Sequence, residues 1–144
     1  MKKFLIACLI VVSFATTASA SNNANISGKA MAHLEANYSA AKNVSWTVSD
    51  NFEKASFTVG NEKVDVYYNE DGDLLGSTKT MAFDKLPKSA LEILTSEYTF
   101  PDYELTDCIE YTDADNNKNY FVSFDINNER VVVSVSTGGS VAEM

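Results

Sequence analysis

Apolar and polar residues alternate along two long stretches of the chain, the period-two pattern of a strand that buries one face. In the first stretch Phe57, Val59, Val64, Val66 and Tyr68 fall on one side, while Ser56, Thr58, Asp65 and Tyr67 fall on the other. In the second, Tyr120, Val122, Phe124, Ile126, Val131, Val133 and Val135 share one side, opposite Phe121, Ser123, Asp125, Val132 and Ser134. Strands are predicted over 45–49, 54–59, 63–69, 74–81, 104–112, 119–126, 130–136 and 140–142. The segment ELTDCIEYT alternates poorly, which predicts a bulge or an edge position there. Two other segments keep a helical period. Ala30, Leu34 and Tyr38 form one apolar stripe behind a Ser27 cap, and Ala90, Leu94 and Tyr98 form another, widened by Leu91 and preceded by Pro87, a residue suited to a first helical turn.

These elements recur in order. Residues 55–76 align without a gap on residues 122–143 at a spacing of 67, with seven of 22 positions identical, including Phe57 on Phe124, Asn61-Glu62 on Asn128-Glu129, and Gly72 on Gly139. That is more than alternation alone produces, so the chain reads as one structural unit used twice, over about 24–83 and 84–144. The predicted class is α+β: tandem helix-plus-four-strand repeats forming an antiparallel sheet, with its helices packed on one face and the other face open.

The N-terminus changes the picture of where this domain works. Lys2 and Lys3 precede an apolar run and then Ala18-Ser19-Ala20, the anatomy of a secretory signal peptide cleaved after Ala20. The apolar run is shorter than the roughly 20 residues of a membrane helix, and Cys8 lies too near the N-terminus for a lipid-attachment box. The expected organisation is a signal peptide at 1–20 and one domain at 21–144, periplasmic or secreted, with no integral membrane segment. Cleavage removes two lysines and no acid, moving the formal charge from −9 to −11. Such a surface repels nucleic acid and anionic lipid, whose recognition relies on clustered Lys and Arg. Cys108 is then the one remaining cysteine, so the mature domain folds without an internal disulfide, and its setting reads as a small buried apolar residue.

Candidate chemistry is sparse. His33 is the single histidine and has no second histidine to form a metal site or proton shuttle with. No phosphate loop, nucleophile elbow or nucleophile–base pair can be assembled, so no catalytic residue and no cofactor is assigned. The acidic turns at 69–73 and 113–119 invite a calcium reading, yet NEDGD lacks the full loop with its closing Glu, and the second turn has Lys118 where a loop glycine belongs and Phe124 where that Glu belongs. Neither is assigned a metal. Gly72 and Gly139 mark the shared need of the first turn and its counterpart, a backbone with positive φ. On the open face, Asp65, Tyr67, Phe121 and Asp125 combine aromatic area with negative charge. Two readings fit the aromatics equally: cross-strand packing, or exposed anchors for a protein or peptide partner.

Asn43-Val44-Ser45-Trp46, Ala55-Ser56-Phe57, the Tyr-x-x-Asp-Gly turn at Tyr68 to Gly72, and Leu86-Pro87 together resemble the PepSY-like family of exported bacterial proteins, described as β-lactamase-inhibitor-like. The resemblance spans nearly all of the mature chain and implies tandem units, export and a relation to proteinaceous enzyme inhibitors. It transfers no catalytic role. The second unit departs from the pattern, with Thr137-Gly138-Gly139 at its turn and no tryptophan. The expected function is therefore a non-catalytic exported binding module that modulates an envelope or secreted enzyme through its open sheet face. The alternative is a structural or stress-related envelope protein that self-associates along sheet edges.

Overall fold

The computed structural model describes residues 26–144. The signal peptide and the expected cleavage at Ala20 lie outside the described residues.

Helix α1 (Gly28–Asn37) is followed by β1 (Lys42–Val48), β2 (Glu53–Val59), β3 (Glu62–Tyr68) and β4 (Leu74–Thr80). A 3-10 turn at Phe83–Lys85 leads into α2 (Lys88–Glu97), and then β5 (Glu104–Asp113), β6 (Lys118–Ile126), β7 (Glu129–Ser136) and β8 (Val141–Glu143). The eight strands form one sheet in sequence order, every neighbour antiparallel. The predicted elements are all present with bounds moved by a few residues, and the class is α+β.

Each helix is tied down by the stripe that its sequence predicts. Ala30 and Leu34 of α1 are buried against Ala55, Phe57, Val64, Val66 and Tyr68, and Ala90 and Leu94 of α2 against Cys108, Val122, Phe124, Val133 and Val135. Burial of a leucine such as Leu34 or Leu94 contributes about 1.5–3 kcal/mol over leaving it in water. The ladder places both groups of strand residues on the same side of the sheet, so the helices cover one face and, among the described residues, none covers the other. Ser27 caps α1, its Oγ accepting from Lys29 N at 3.3 Å. Pro87 occupies the cap position of α2 rather than its first turn; lacking a polar side chain, it provides no cap hydrogen bond.

The turns before β4 and β8 fix where the helices begin. Asn69 N donates to Asp73 O and Gly72 N to Asn69 O, both at 2.9 Å; Ser136 N to Ser140 O and Gly139 N to Ser136 O repeat the arrangement at 2.9 Å. Gly72 (φ +75°) lies against Ser27, and Gly139 (φ +84°) against Ser89 and Pro87. A Cβ on either glycine would come within 2.2 and 1.9 Å of the respective serine Oγ, closer than real side chains approach. Each glycine thus seats a helix N-terminus as well as closing a turn.

Strand β5 carries a register shift between Leu105 and Asp107. The poor alternation of ELTDCIEYT is therefore a bulge, and the edge reading is incorrect, because β5 pairs with both β4 and β6. The true edges are β1, exposed at nearly every position, and the three-residue β8.

Candidate functional site

The helix-free face begins at β3, where alternation aims Asp65 and Tyr67 away from α1. Asp65 pairs across the ladder with Ser56 and Thr78, and Thr78 with Tyr111. Tyr67 lies opposite Gly76, and Gly76 opposite Asp113. One pleat over, Thr80, Ile109, Phe121 and Ser134 form a further row. Asp65 and Phe121 are therefore separated by three strand spacings, about 14 Å. Asp125 stands apart at the far end of β6, where its Oδ1 accepts from Arg130 Nε at 3.2 Å.

These residues are not exposed as expected. Tyr67 is 2% exposed, Asp65 7% and Phe121 9%, so Tyr67 and Phe121 are not free-standing surface anchors. With no described helix above them, their cover comes from neighbouring side chains. Ile109, Tyr111, Phe121 and Val132 make an apolar cluster of their own, and the rings of Tyr111 and Phe121 meet edge-on at 6.3 Å. Phe52 packs on Tyr67 at 6.0 Å. Gly76 makes room for the Tyr111 ring: a Cβ there would lie 2.8 Å from both that ring and the Thr112 carbonyl.

Ile109, Tyr111 and Val132 were not among the candidates drawn from the sequence. The signal was present: counted from Asp107, beyond the bulge, Asp107, Ile109, Tyr111 and Asp113 alternate cleanly with Cys108, Glu110 and Thr112. Val132 stands 67 residues after Asp65, the spacing of the sequence alignment.

This face holds one buried acid, Asp65, and another, Glu53, lies against the start of α1, its Oε2 likewise enclosed and without a hydrogen-bond partner among the described residues. Asp65 Oδ1 is enclosed and has no hydrogen-bond partner. Leaving such an oxygen unpaired costs on the order of 1–3 kcal/mol, and more when charged. Burial also raises the Asp107 carboxyl above its ordinary value, opposed by the positive charges of Arg130 and Lys63. The floor is thus apolar and acidic, and the rim is polar, including the half-buried Lys54, Ser56, Thr58 and Ser134.

Other candidates resolve into structure. His33 Nδ1 lies 3.0 Å from the Tyr68 hydroxyl, and burial pushes the Tyr68 phenol well up. Trp46 packs beside Tyr68 at 5.9 Å from the edge strand. Cys108 is buried and its thiol is pushed up to about 12 by burial and then by Asp107. In the acidic turns the oxygens serve the backbone: Asn69 Oδ1 accepts from Asp71 N and Asp73 N, and Asp113 Oδ1 from Asp115 N and Asn117 N. Asp73 also pairs with Lys29, whose hydrogen bond and charge hold its carboxyl below the usual range. Among the described residues, no group of three or more His, Cys, Asp or Glu side chains is placed to hold a metal ion.

With this geometry the chain can be set beside solved structures. It has a TM-score of 0.71 and 15% identity to a BLIP-like protein from Bacteroides fragilis, covering 86% of this chain and 89% of that one. It has a TM-score of 0.73 and 12% identity to a candidate periplasmic protein from Bacteroides eggerthii, over 84% and 89% of the two chains. A DUF2874 family protein from Bacteroides uniformis gives 0.70 at 14% identity, over 81% and 86%. What these likenesses show is the fold. No protein-family model matches the sequence, and no curated protein is significantly similar to it. Among the described residues no helix is long and apolar enough to cross a membrane.

Proposed function

We propose that the chain is an exported, non-catalytic binding module that contacts a protein or peptide through its helix-free face and modulates an envelope or secreted enzyme. The observation that carries the reading is Asp65. A buried carboxylate oxygen without a partner opposes folding, and the position 67 residues later holds the apolar Val132. We read an acid at the position where the second unit holds valine as serving a use outside folding, a cationic or hydrogen-bond-donating partner group that reaches the carboxyl through the 7% of Asp65 left exposed.

The reading treats 21–144 as one PepSY-like domain of two helix-plus-four-strand units, supported by the sequence alignment at spacing 67 and by the matching turn hydrogen bonds. Export is supported by the signal-like N-terminus, and the inhibitor-like role by the BLIP-like neighbour. Asp65, Tyr67 and Phe121 act as the floor of the contact surface and Asp125 as part of its rim. The burial of Tyr67 and Phe121 means that their contribution is to shape this floor.

The test is retention of envelope proteins by the immobilised chain, compared between wild type and Asp65→Val, with each variant checked for a native melt. Proteins held by wild type and released by Asp65→Val support the reading, and identical retention by both sinks it. Titration of the purified chain into a β-lactamase assay examines the inhibitor component separately. The rival, self-association, is favoured by one observation: β1 is an exposed edge that carries Val44 and Val48 at 42% and 38% exposure. A light-scattering mass that rises with concentration would favour the rival, and a constant monomer mass the binding module.

A further inference from the structure

At the end of the molecule where α2 stops, a second surface is built quite differently from the helix-free face. Leu94, Tyr98, Tyr103, Leu105 and Phe124 line a mostly apolar cavity of about 300 Å³. Phe100 stands at its rim, 84% exposed, more than any other large apolar residue among those described. Leu105 is 45% exposed inside the same hollow. An isolated exposed apolar side chain needs no explanation, but an exposed phenylalanine beside a preformed apolar cavity does. Aromatic stacking holds the cavity open: Tyr98 stacks on Phe124 at 4.8 Å, and Tyr103 meets Tyr98 edge-on at 5.1 Å. The aromatic side of the cavity is thus already packed without a ligand, which limits the ordering that binding would require.

Directly beside it lies a polar hollow of about 510 Å³, lined by Asp102, Glu104, Asp125, Asn127 and Asn128 and sharing Tyr103 and Glu104 with the apolar cavity. Among the described residues no cation pairs with Asp102 or Glu104. The electrostatics of α2 point the same way. Its last turn contains Glu97 and no basic residue, so the negative pole of the helix is reinforced rather than offset. The surface is therefore an apolar slot continuous with a net negative field, in which Asp102 and Glu104 have no cation partner among the described residues and Asp125 is paired with Arg130.

We infer that this end of the domain is a docking site for a polypeptide segment that presents an apolar side chain flanked by lysine or arginine. The apolar side chain enters the slot between Tyr98, Phe100 and Leu105, and the flanking cations face Asp102 and Glu104. A second copy of this chain is the wrong occupant, since it would bring its own acidic surface to an already negative site, at −9 for the whole chain. The inference shares Asp125 with the rim of the helix-free face but rests on Phe100, Asp102 and Glu104, so variants at those residues and at Asp65 test the two surfaces apart.

The probe is a fluorescein-labelled synthetic peptide with one phenylalanine between two pairs of lysines, titrated into the purified mature domain by anisotropy at two salt concentrations. Saturable binding is expected, weakening as salt rises. Phe100→Ala is expected to weaken it about tenfold, as is replacing the peptide phenylalanine with alanine. The double variant Asp102→Asn/Glu104→Gln is expected to weaken it several-fold and to flatten the salt dependence. Asp65→Val is expected to leave it unchanged. Amide chemical-shift changes confined to 94–105 and 124–128 provide a second readout should a variant fold poorly. Absence of binding to wild type at millimolar peptide would overturn the proposal. So would equal binding of the peptide lacking phenylalanine, which would mean diffuse charge attraction, or shift changes centred on Asp65 and Phe121, which would place the contact on the other face.

Discussion

Replacing Gly72 with alanine tests whether the turn before β4 seats helix α1. Two effects combine there. At φ +75° an alanine adopts the left-handed region at about 1–2 kcal/mol. Its Cβ would also fall 2.2 Å from Ser27 Oγ and 2.9 Å from Ser27 Cβ, so the serine must move and its cap to Lys29 N is lost. Loss of a serine cap costs about 1 kcal/mol. Together these give about 2–3 kcal/mol, which for a domain of this size lowers the melting midpoint by roughly 10 °C. Two controls separate the terms. Gly60 has φ +61° with nothing within 4 Å of where a Cβ would stand, so Gly60→Ala should show the conformational part alone. At Gly138 the nearest atom to an added Cβ is 3.8 Å away, so Gly138→Ala should stay within about 0.5 kcal/mol of wild type. The double variant Ser27→Gly/Gly72→Ala should recover to within about 0.5 kcal/mol of Gly60→Ala, since glycine replaces a serine cap at small cost. Urea midpoints and thermal melts are the assay. Equal loss in Gly72→Ala and Gly60→Ala would refute the seating argument, since the contact with Ser27 would then contribute nothing.

Asp65→Val should raise stability by about 1–2 kcal/mol in urea unfolding, because it removes an unpaired buried oxygen; a lower midpoint would show that Asp65 holds the sheet together. Asp107→Asn should raise the midpoint at pH 7 and have less effect below about pH 4, the ordinary carboxylate range. The sign follows from linkage: a carboxyl raised by folding binds its proton more tightly when native, so it opposes folding above its folded pKa, and that opposition fades as pH falls through it toward the unfolded value. A pH-independent gain would assign the effect to packing instead. Cys108, with its thiol near 12, should resist a thiol reagent at pH 8 until the protein is denatured; rapid native labelling would contradict its burial.

The helices and strands were legible because each carries a local period. Leu34 and Leu94 sit where a helical stripe puts them, and Phe57 and Phe124 where alternation does. Gly72 and Gly139 could be recognised as turn residues from their shared place in the alignment, but their contacts with Ser27 and Ser89 join segments far apart in sequence and leave no local signature. The helix-free face was legible in direction and not in depth. Alternation aims Tyr67 and Phe121 correctly, whereas their burial depends on which strands lie alongside, and on Gly76 admitting Tyr111. The bulge in β5 hid Ile109 and Tyr111 by shifting the phase midway along one strand. Phe100 itself gave no pattern, since it lies in the connection between α2 and β5, although Leu94, Tyr98 and Phe124 beside it follow theirs.

The sheet is continuous, but the helix-side core is not. One apolar cluster belongs to α1 with β2 and β3, another to α2 with β5, β6 and β7, and what links them is the ladder in which Gly76 to Thr80 faces Ile109 to Asp113. That ladder is a seam crossed mainly by backbone hydrogen bonds, with small and polar residues such as Ser77 and Thr112 beside it. A defect in one core can therefore loosen its own half while the other keeps its amide protection, so the molecule should open in two cooperative blocks. Bending along the seam would leave both helix-side cores packed, and what opposes it on the helix-free face is the Tyr111 ring lying against Gly76.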